Sequence, residues 1–128
     1  MNILGNGVDI IKNSRIKKSI KNKNFIKRIF SSYEINESRN LKNKEKFFAK
    51  RFAAKEAFVK SIGTGFRKGI NFNDISVKNN SLGKPKIYLN HKIKNFLTKK
   101  FKFKKFEVFL SLSDEKDHSI AFVIISRK

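Results

Sequence analysis

The sequence predicts an α+β fold, a single domain of mainly antiparallel strands packed on one long central helix. Three observations predict it. Residues 43–62 carry Phe47, Phe48, Phe52, Ala53, Ala54, Ala57, Phe58 and Val59, apolar almost all round, so the helix they form is buried on most sides. Residues 75–78 and 86–89 are short strand-like runs around Asn79-Asn80-Ser81-Leu82-Gly83, whose turn chemistry closes a hairpin. Residues 106–113 alternate, with Val108, Leu110 and Leu112 on one face and Glu107, Phe109, Ser111 and Ser113 on the other. Hairpins with one long helix define the class.

The remaining elements follow in chain order. Residues 3–11 read as a strand in which Gly5 and Gly7 permit close backbone approach. Residues 14–20 and 24–30 are short basic helices, and Ser31-x-x-Glu34 is a capping box that starts a third. The long helix stops at Gly63, which takes the left-handed conformation cheaply. Residues 91–100 form a basic amphipathic helix. Residues 114–118 turn the chain, and 119–125 are the last strand. There is no internal repeat and no linker, so residues 1–128 are expected to act as one domain.

Composition narrows the function. With 31 Lys+Arg against 10 Asp+Glu, the chain carries +21 and attracts anions over roughly one Debye length, about 8 Å at physiological salt. Only six basic residues are Arg: Arg15, Arg28, Arg39, Arg51, Arg67 and Arg127, candidates for a planar fork on phosphate or carboxylate. The absence of Cys excludes disulfides, thiolate metal sites and cysteine nucleophiles, and two His are too few for a His-rich metal site. The N-terminal residues lack a basic leader and a sustained apolar stretch, and no run approaches the ~20 residues that span a bilayer. A cytoplasmic protein with no membrane role is expected.

Against this basic background two acids stand in apolar surroundings. Asp9 lies within ILGNGVDII, and Glu56 lies on the helix stripe of Phe48, Phe52, Val59, Lys60 and Gly63. A surface Glu56–Lys60 pair and a capping Asp9 are the plain alternatives. An acid in apolar surroundings is costly unless paired. The sharper reading therefore joins Asp9 and Glu56 on one hard cation, Mg²⁺, which takes carboxylates, water and substrate phosphates. Lys60 then neutralises a phosphate beside it. Phosphoryl or phosphopantetheinyl transfer requires such a constellation.

These residues also carry a resemblance. GVDI with Asp9, followed by Arg15-Ile16, the segment FFAKRFAAKEAFVKSIGTGFRKGINFNDISV, the turn LGKPKI and the closing SLSDEKDHSIAFVII together resemble the short bacterial 4′-phosphopantetheinyl transferases, the holo-[acyl-carrier-protein] synthase type. The resemblance covers nearly the whole chain. It implies that fold, and the Mg²⁺-dependent transfer of 4′-phosphopantetheine from coenzyme A to a serine of apo-acyl carrier protein. It implies Mg²⁺ on Asp9 and Glu56, with Glu56 and Lys60 catalytic. It places coenzyme A against Arg51, Gly65, Lys84, Pro85 and Asp114, and the acidic carrier on the basic early helices at Arg15 and Arg28. It further implies a homotrimer with sites between protomers, and no nucleic acid. Two positions depart from the pattern: Lys12 stands where Glu is frequent, and Asp114 where many members have His.

The rival reading, a small basic nucleic-acid-binding module, has only charge in its favour. The Phe residues fall at core spacing and do not form an exposed stacking platform.

Overall fold

The computed structural model describes residues 2–66 and 69–128. Strand β1 (Asn2–Lys12) leads into three short helices, α1 (Asn13–Ser19), α2 (Lys23–Ile29) and α3 (Ser32–Ser38). Helix α4 (Glu45–Ile62) is the central element. A 3-10 turn (Phe72–Asp74), the hairpin β2 (Ile75–Asn79) and β3 (Pro85–Leu89), and helix α5 (His91–Phe101) follow. The chain closes with β4 (Phe106–Asp114) and β5 (His118–Arg127).

The strands make two antiparallel sheets, one ordered β1-β5-β4 and the other β2-β3. Alternation along β1 sends Gly5, Gly7, Asp9 and Ile11 to the face that meets α4, and Val8 and Ile10 to the opposite face. Neither Gly5 nor Gly7 could carry a side chain. A Cβ at Gly5 would run into the Ser61 carbonyl oxygen, and one at Gly7 into that of Ala57. Helix α4 therefore lies backbone-close across β1, and Asp9, two residues beyond Gly7 on the same face, is delivered to the helix flank.

The core is largely phenylalanine packed on phenylalanine. Phe48 meets Phe30 with ring centroids 4.5 Å apart, and Phe52 stacks on Phe72 at 5.5 Å. Within it lies a full ion pair: Lys55 Nζ is 2.8 Å from Glu34 Oε1, both side chains wholly buried. Glu34 also accepts from the Ser31 and Val77 amides, and Lys55 donates to the Phe72 and Ile75 carbonyls. Every polar end has a partner, as a buried charge pair requires. Burial pushes the Lys55 ammonium below its usual range, and Glu34 opposes that shift.

The elements agree with the sequence expectations, with small shifts at their ends. The Ser31–Glu34 capping box forms, Gly63 caps α4 at φ 76°, and the long helix begins at Glu45, two residues later than position 43. Strands β4 and β5 extend to Asp114 and from His118, so the turn between them is shorter than residues 114–118. The extra strand length follows from Asp114 pairing with Ser119 across the ladder.

Candidate active site

Between Arg51 and Ile62 every residue of α4 is buried except two. Glu56 is half-buried, and the Lys60 side chain is 54% exposed. Over this stretch the helix opens to solvent only where it carries the acid and the base, and it does so against β1. Lys60 Nζ lies 3.0 Å from Asp9 Oδ1 and 3.1 Å from the Val8 carbonyl oxygen, donating to both. Asp9 itself is largely covered, its side chain 15% exposed.

Electrostatics tie Glu56 to the same group. Burial raises the Glu56 carboxyl above its ordinary range, the Asp9 charge adds to the rise, and Lys60 and Arg15 oppose it. Four charged side chains from three elements therefore act on one spot: Asp9 from β1, Arg15 from α1, and Glu56 and Lys60 from α4. The two carboxylates supply hard oxygen donors and repel each other, a pairing that a divalent cation relieves. Among the described residues no cluster of three or more His, Cys, Asp and Glu side chains forms, so a cation here would draw its other ligands from water or substrate.

The other expected residues are more scattered. Arg15 and Arg28 are both exposed, on α1 and α2. Asp114 ends β4 and is held by two lysines of the first turns of α4, Lys50 at 3.0 Å and Lys46 at 3.8 Å. The Lys50 ammonium holds the Asp114 carboxyl below its usual range. Gly65 is exposed just beyond the end of α4, and Lys84 and Pro85 lie at the β2–β3 turn, where the Lys84 amide donates to Asn80 Oδ1 at 2.9 Å. Arg51 stands apart from the Asp9–Glu56 group. It is buried, its guanidinium 3.6 Å over the Phe47 ring, with Nη1 donating to the Phe47 carbonyl and Nε unpartnered. Arg127 likewise stacks on a ring, that of Phe103 at 4.4 Å. Arg67 lies outside the described residues.

Sequence reasoning missed the Lys46–Lys50 clamp and the action of the Arg15 charge on Glu56. The i, i+4 spacing of Lys46 and Lys50 was a usable signal, since it puts both on one helix face. Nothing local predicted where Arg15 would point.

A crevice of about 740 Å³ lies elsewhere, between β3, α5 and the start of β4, lined by Ile87, Leu89, Lys104, Lys105 and Phe106. The Asp9–Glu56 group is not part of its lining. The sheet face away from α4 is also open and apolar: Val8, Ile10, Phe109, Ile120 and Phe122 are all exposed there.

Fold and site together define a group of two carboxylates and a lysine built where one helix crosses a glycine-bearing strand. The chain belongs to the 4′-phosphopantetheinyl transferase superfamily, which matches residues 5–123. It is 57% identical to the holo-[acyl-carrier-protein] synthase of Pelagibacter ubique, over the full length of both chains. It is 46% identical to that of Ehrlichia chaffeensis, over 96% of each. Among solved structures, the synthase of Neisseria meningitidis superposes with a TM-score of 0.87 at 35% identity, covering 98% of this chain and 99% of that one. The synthase of Bacillus anthracis, solved in complex with CoA (3′,5′-ADP), gives 0.83 at 35% identity over the whole of both chains.

Proposed function

We propose that this protein transfers the 4′-phosphopantetheine group of coenzyme A to a serine of apo-acyl carrier protein, releasing adenosine 3′,5′-bisphosphate, with residues 1–128 acting as one transferase domain. The observation that carries this reading is the exposure pattern of α4: Glu56 and Lys60 alone emerge from its buried stretch, and they emerge beside Asp9.

The chemistry follows from those side chains. Asp9 and Glu56 would hold Mg²⁺, which when bound supplies positive charge to the pyrophosphate as its bond breaks. Lys60, a mobile point charge on a flexible stem, leaves Asp9 for a pyrophosphate oxygen and stabilises the charge that develops there. Glu56 takes the proton of the attacking serine, directly or through a water beside it. Arg15, exposed on α1 beside Glu56, meets the acidic carrier and brings its serine to the centre, with Arg28 extending the basic face. Lys46 and Lys50, already gathered by Asp114, offer ammonium groups to the phosphates of coenzyme A, with Gly65, Lys84 and Pro85 as further contacts and Arg51 as the one expected contact that must turn outward to serve.

The reading includes a homotrimer. An open site and an open apolar sheet face on one chain are both completed if copies pack together through Val8, Ile10, Phe109, Ile120 and Phe122. The setting is cytoplasmic, where coenzyme A and the carrier meet. No described helix is long and apolar enough to cross a membrane.

Mass spectrometry tests the transfer directly. Apo-carrier incubated with the protein, coenzyme A and Mg²⁺ should gain one phosphopantetheine. No gain with any apo-carrier of the same organism overturns the reading. Light scattering tests the assembly, with a mass about three times the 14.9 kDa chain expected and an active monomer the contrary result.

A further inference from the structure

Asn13 is the first residue of α1 and is only 3% exposed. It makes four hydrogen bonds, all to the β4–β5 turn and the strand that leaves it. Its backbone amide donates to the Asp117 carbonyl at 2.8 Å, and its Nδ2 donates to the carbonyls of Glu115 and Lys116, both at 3.2 Å. Its Oδ1 accepts from Ser119 Oγ at 2.7 Å. Ser119 is wholly buried. The turn closes on itself through the Glu115 amide, which donates to the His118 carbonyl at 2.9 Å.

The arrangement has a consequence for α1. This helix has seven residues and no side-chain cap at its N-terminus, so two buried side chains set its direction, Ile16 in the core and Asn13 on the turn. The turn, by contrast, is anchored from its other side, because Asp114 at its root is paired with Lys50 and Lys46 of α4. Asn13 is the side-chain link between them, next to the Lys12–His118 strand pair. Two residues on stands Arg15, exposed on α1, whose charge acts on the Glu56 carboxyl.

We propose that Asn13 is a positioning residue that moors α1 to the β4–β5 turn and so holds Arg15 at the angle from which it receives the carrier protein. The inference rests on the transfer reading above. Of the side chains near the centre, Asn13 combines a short side chain, a double donor and an acceptor, and it uses all of them on one turn. An apolar replacement leaves the Glu115 and Lys116 carbonyls to water and the buried Ser119 hydroxyl without its partner, and the turn loosens from α1.

The test is a kinetic double-mutant cycle with a physical control. Asn13→Ala should raise the KM for carrier about tenfold, leave that for coenzyme A within about twofold, and keep most of kcat at saturating carrier. In an Arg15→Ala background the same change should add less than about twofold, because the residue it positions is gone. Amide exchange in residues 115–119 and 14–20 should quicken in Asn13→Ala, while Asp114 stays held by Lys46 and Lys50. If that variant does not fold, Ser119→Ala, which removes one of the four bonds, should shift carrier KM about threefold in the same direction. Additive effects in the cycle, or equal rises in both KM values, would show a general loss of structure and overturn the inference. A parent enzyme that never modifies carrier sinks the transfer reading and the role of Asn13 with it; an active parent with an unchanged Asn13→Ala sinks the Asn13 inference alone.

Discussion

Gly7 and Ala57 face each other with no room for a methyl group between them: a Cβ on Gly7 would overlap the Ala57 carbonyl oxygen. The same strand face carries Asp9 two residues later, and the same helix carries Glu56 one residue before Ala57 and Lys60 three residues after it. The glycine is thus what lets strand and helix approach closely enough for Lys60 to bond Asp9 at 3.0 Å. Gly7→Ala should force α4 away from β1 and destabilise the fold by about 2–3 kcal/mol. Activity should fall beyond what unfolding explains, because the Asp9–Lys60 distance grows. Denaturant melts beside turnover at low temperature check both, and an unchanged midpoint would contradict the packing argument.

Asp9 and Glu56 are assigned to one cation. Asp9→Ala and Glu56→Gln should each weaken Mg²⁺ binding, read by calorimetry, and reduce transfer by roughly a hundredfold or more. Circular dichroism should show both folded. Lys60→Ala should bind Mg²⁺ at least as well as the parent, since it frees Asp9 of its ion pair, and yet transfer poorly. A Lys60→Ala protein with parental turnover removes the lysine from the mechanism.

The carrier is expected on the basic side of α1 and α2. Arg15→Glu and Arg28→Glu should raise the carrier KM several-fold more than that for coenzyme A. Salt should weaken carrier recognition in the parent, and less so in the variants. Arg15→Glu should have the larger effect, because its charge also acts on Glu56. Equal losses for both substrates would place these arginines elsewhere in the reaction.

Asp114 gives a pH signature. Lys50 and Lys46 hold its carboxyl below the ordinary range, so its ionised form stabilises the folded state. That contribution is present above the unfolded value of about 3.9 and is lost as the pH falls through the lower folded value. Asp114→Asn should therefore cost under about 1 kcal/mol at neutral pH, the pair being exposed, and nothing in strong acid. It should keep much of the turnover and mainly alter coenzyme A binding, since a carboxyl so readily ionised is a weak base at neutral pH. Melts across pH with steady-state kinetics test both halves. If saturating substrates leave Asp114→Asn as inactive as Glu56→Gln, the turn is catalytic.

The chain by itself determined its elements. Alternation in β4, the capping box at Ser31, the left-handed Gly63 and the apolar run of α4 are all local, and each rests on the chemistry of residues a few positions apart. It also marked Asp9, Glu56 and Lys60, because scarce acids in apolar surroundings stand out against so much lysine. Glu34 was legible only as a cap. Its larger role as the buried partner of Lys55, 21 positions away, appears once α3 is packed against α4. Tertiary structure alone decided that Arg51 turns inward onto Phe47, that the Arg15 charge acts on Glu56, that Lys46 and Lys50 converge on Asp114, and that Asn13 ties α1 to a turn more than 100 residues away. The reason is physical. Periodicity and propensity are properties of neighbours in sequence, whereas the direction of a long polar side chain is set by whichever distant partner best replaces the water it loses.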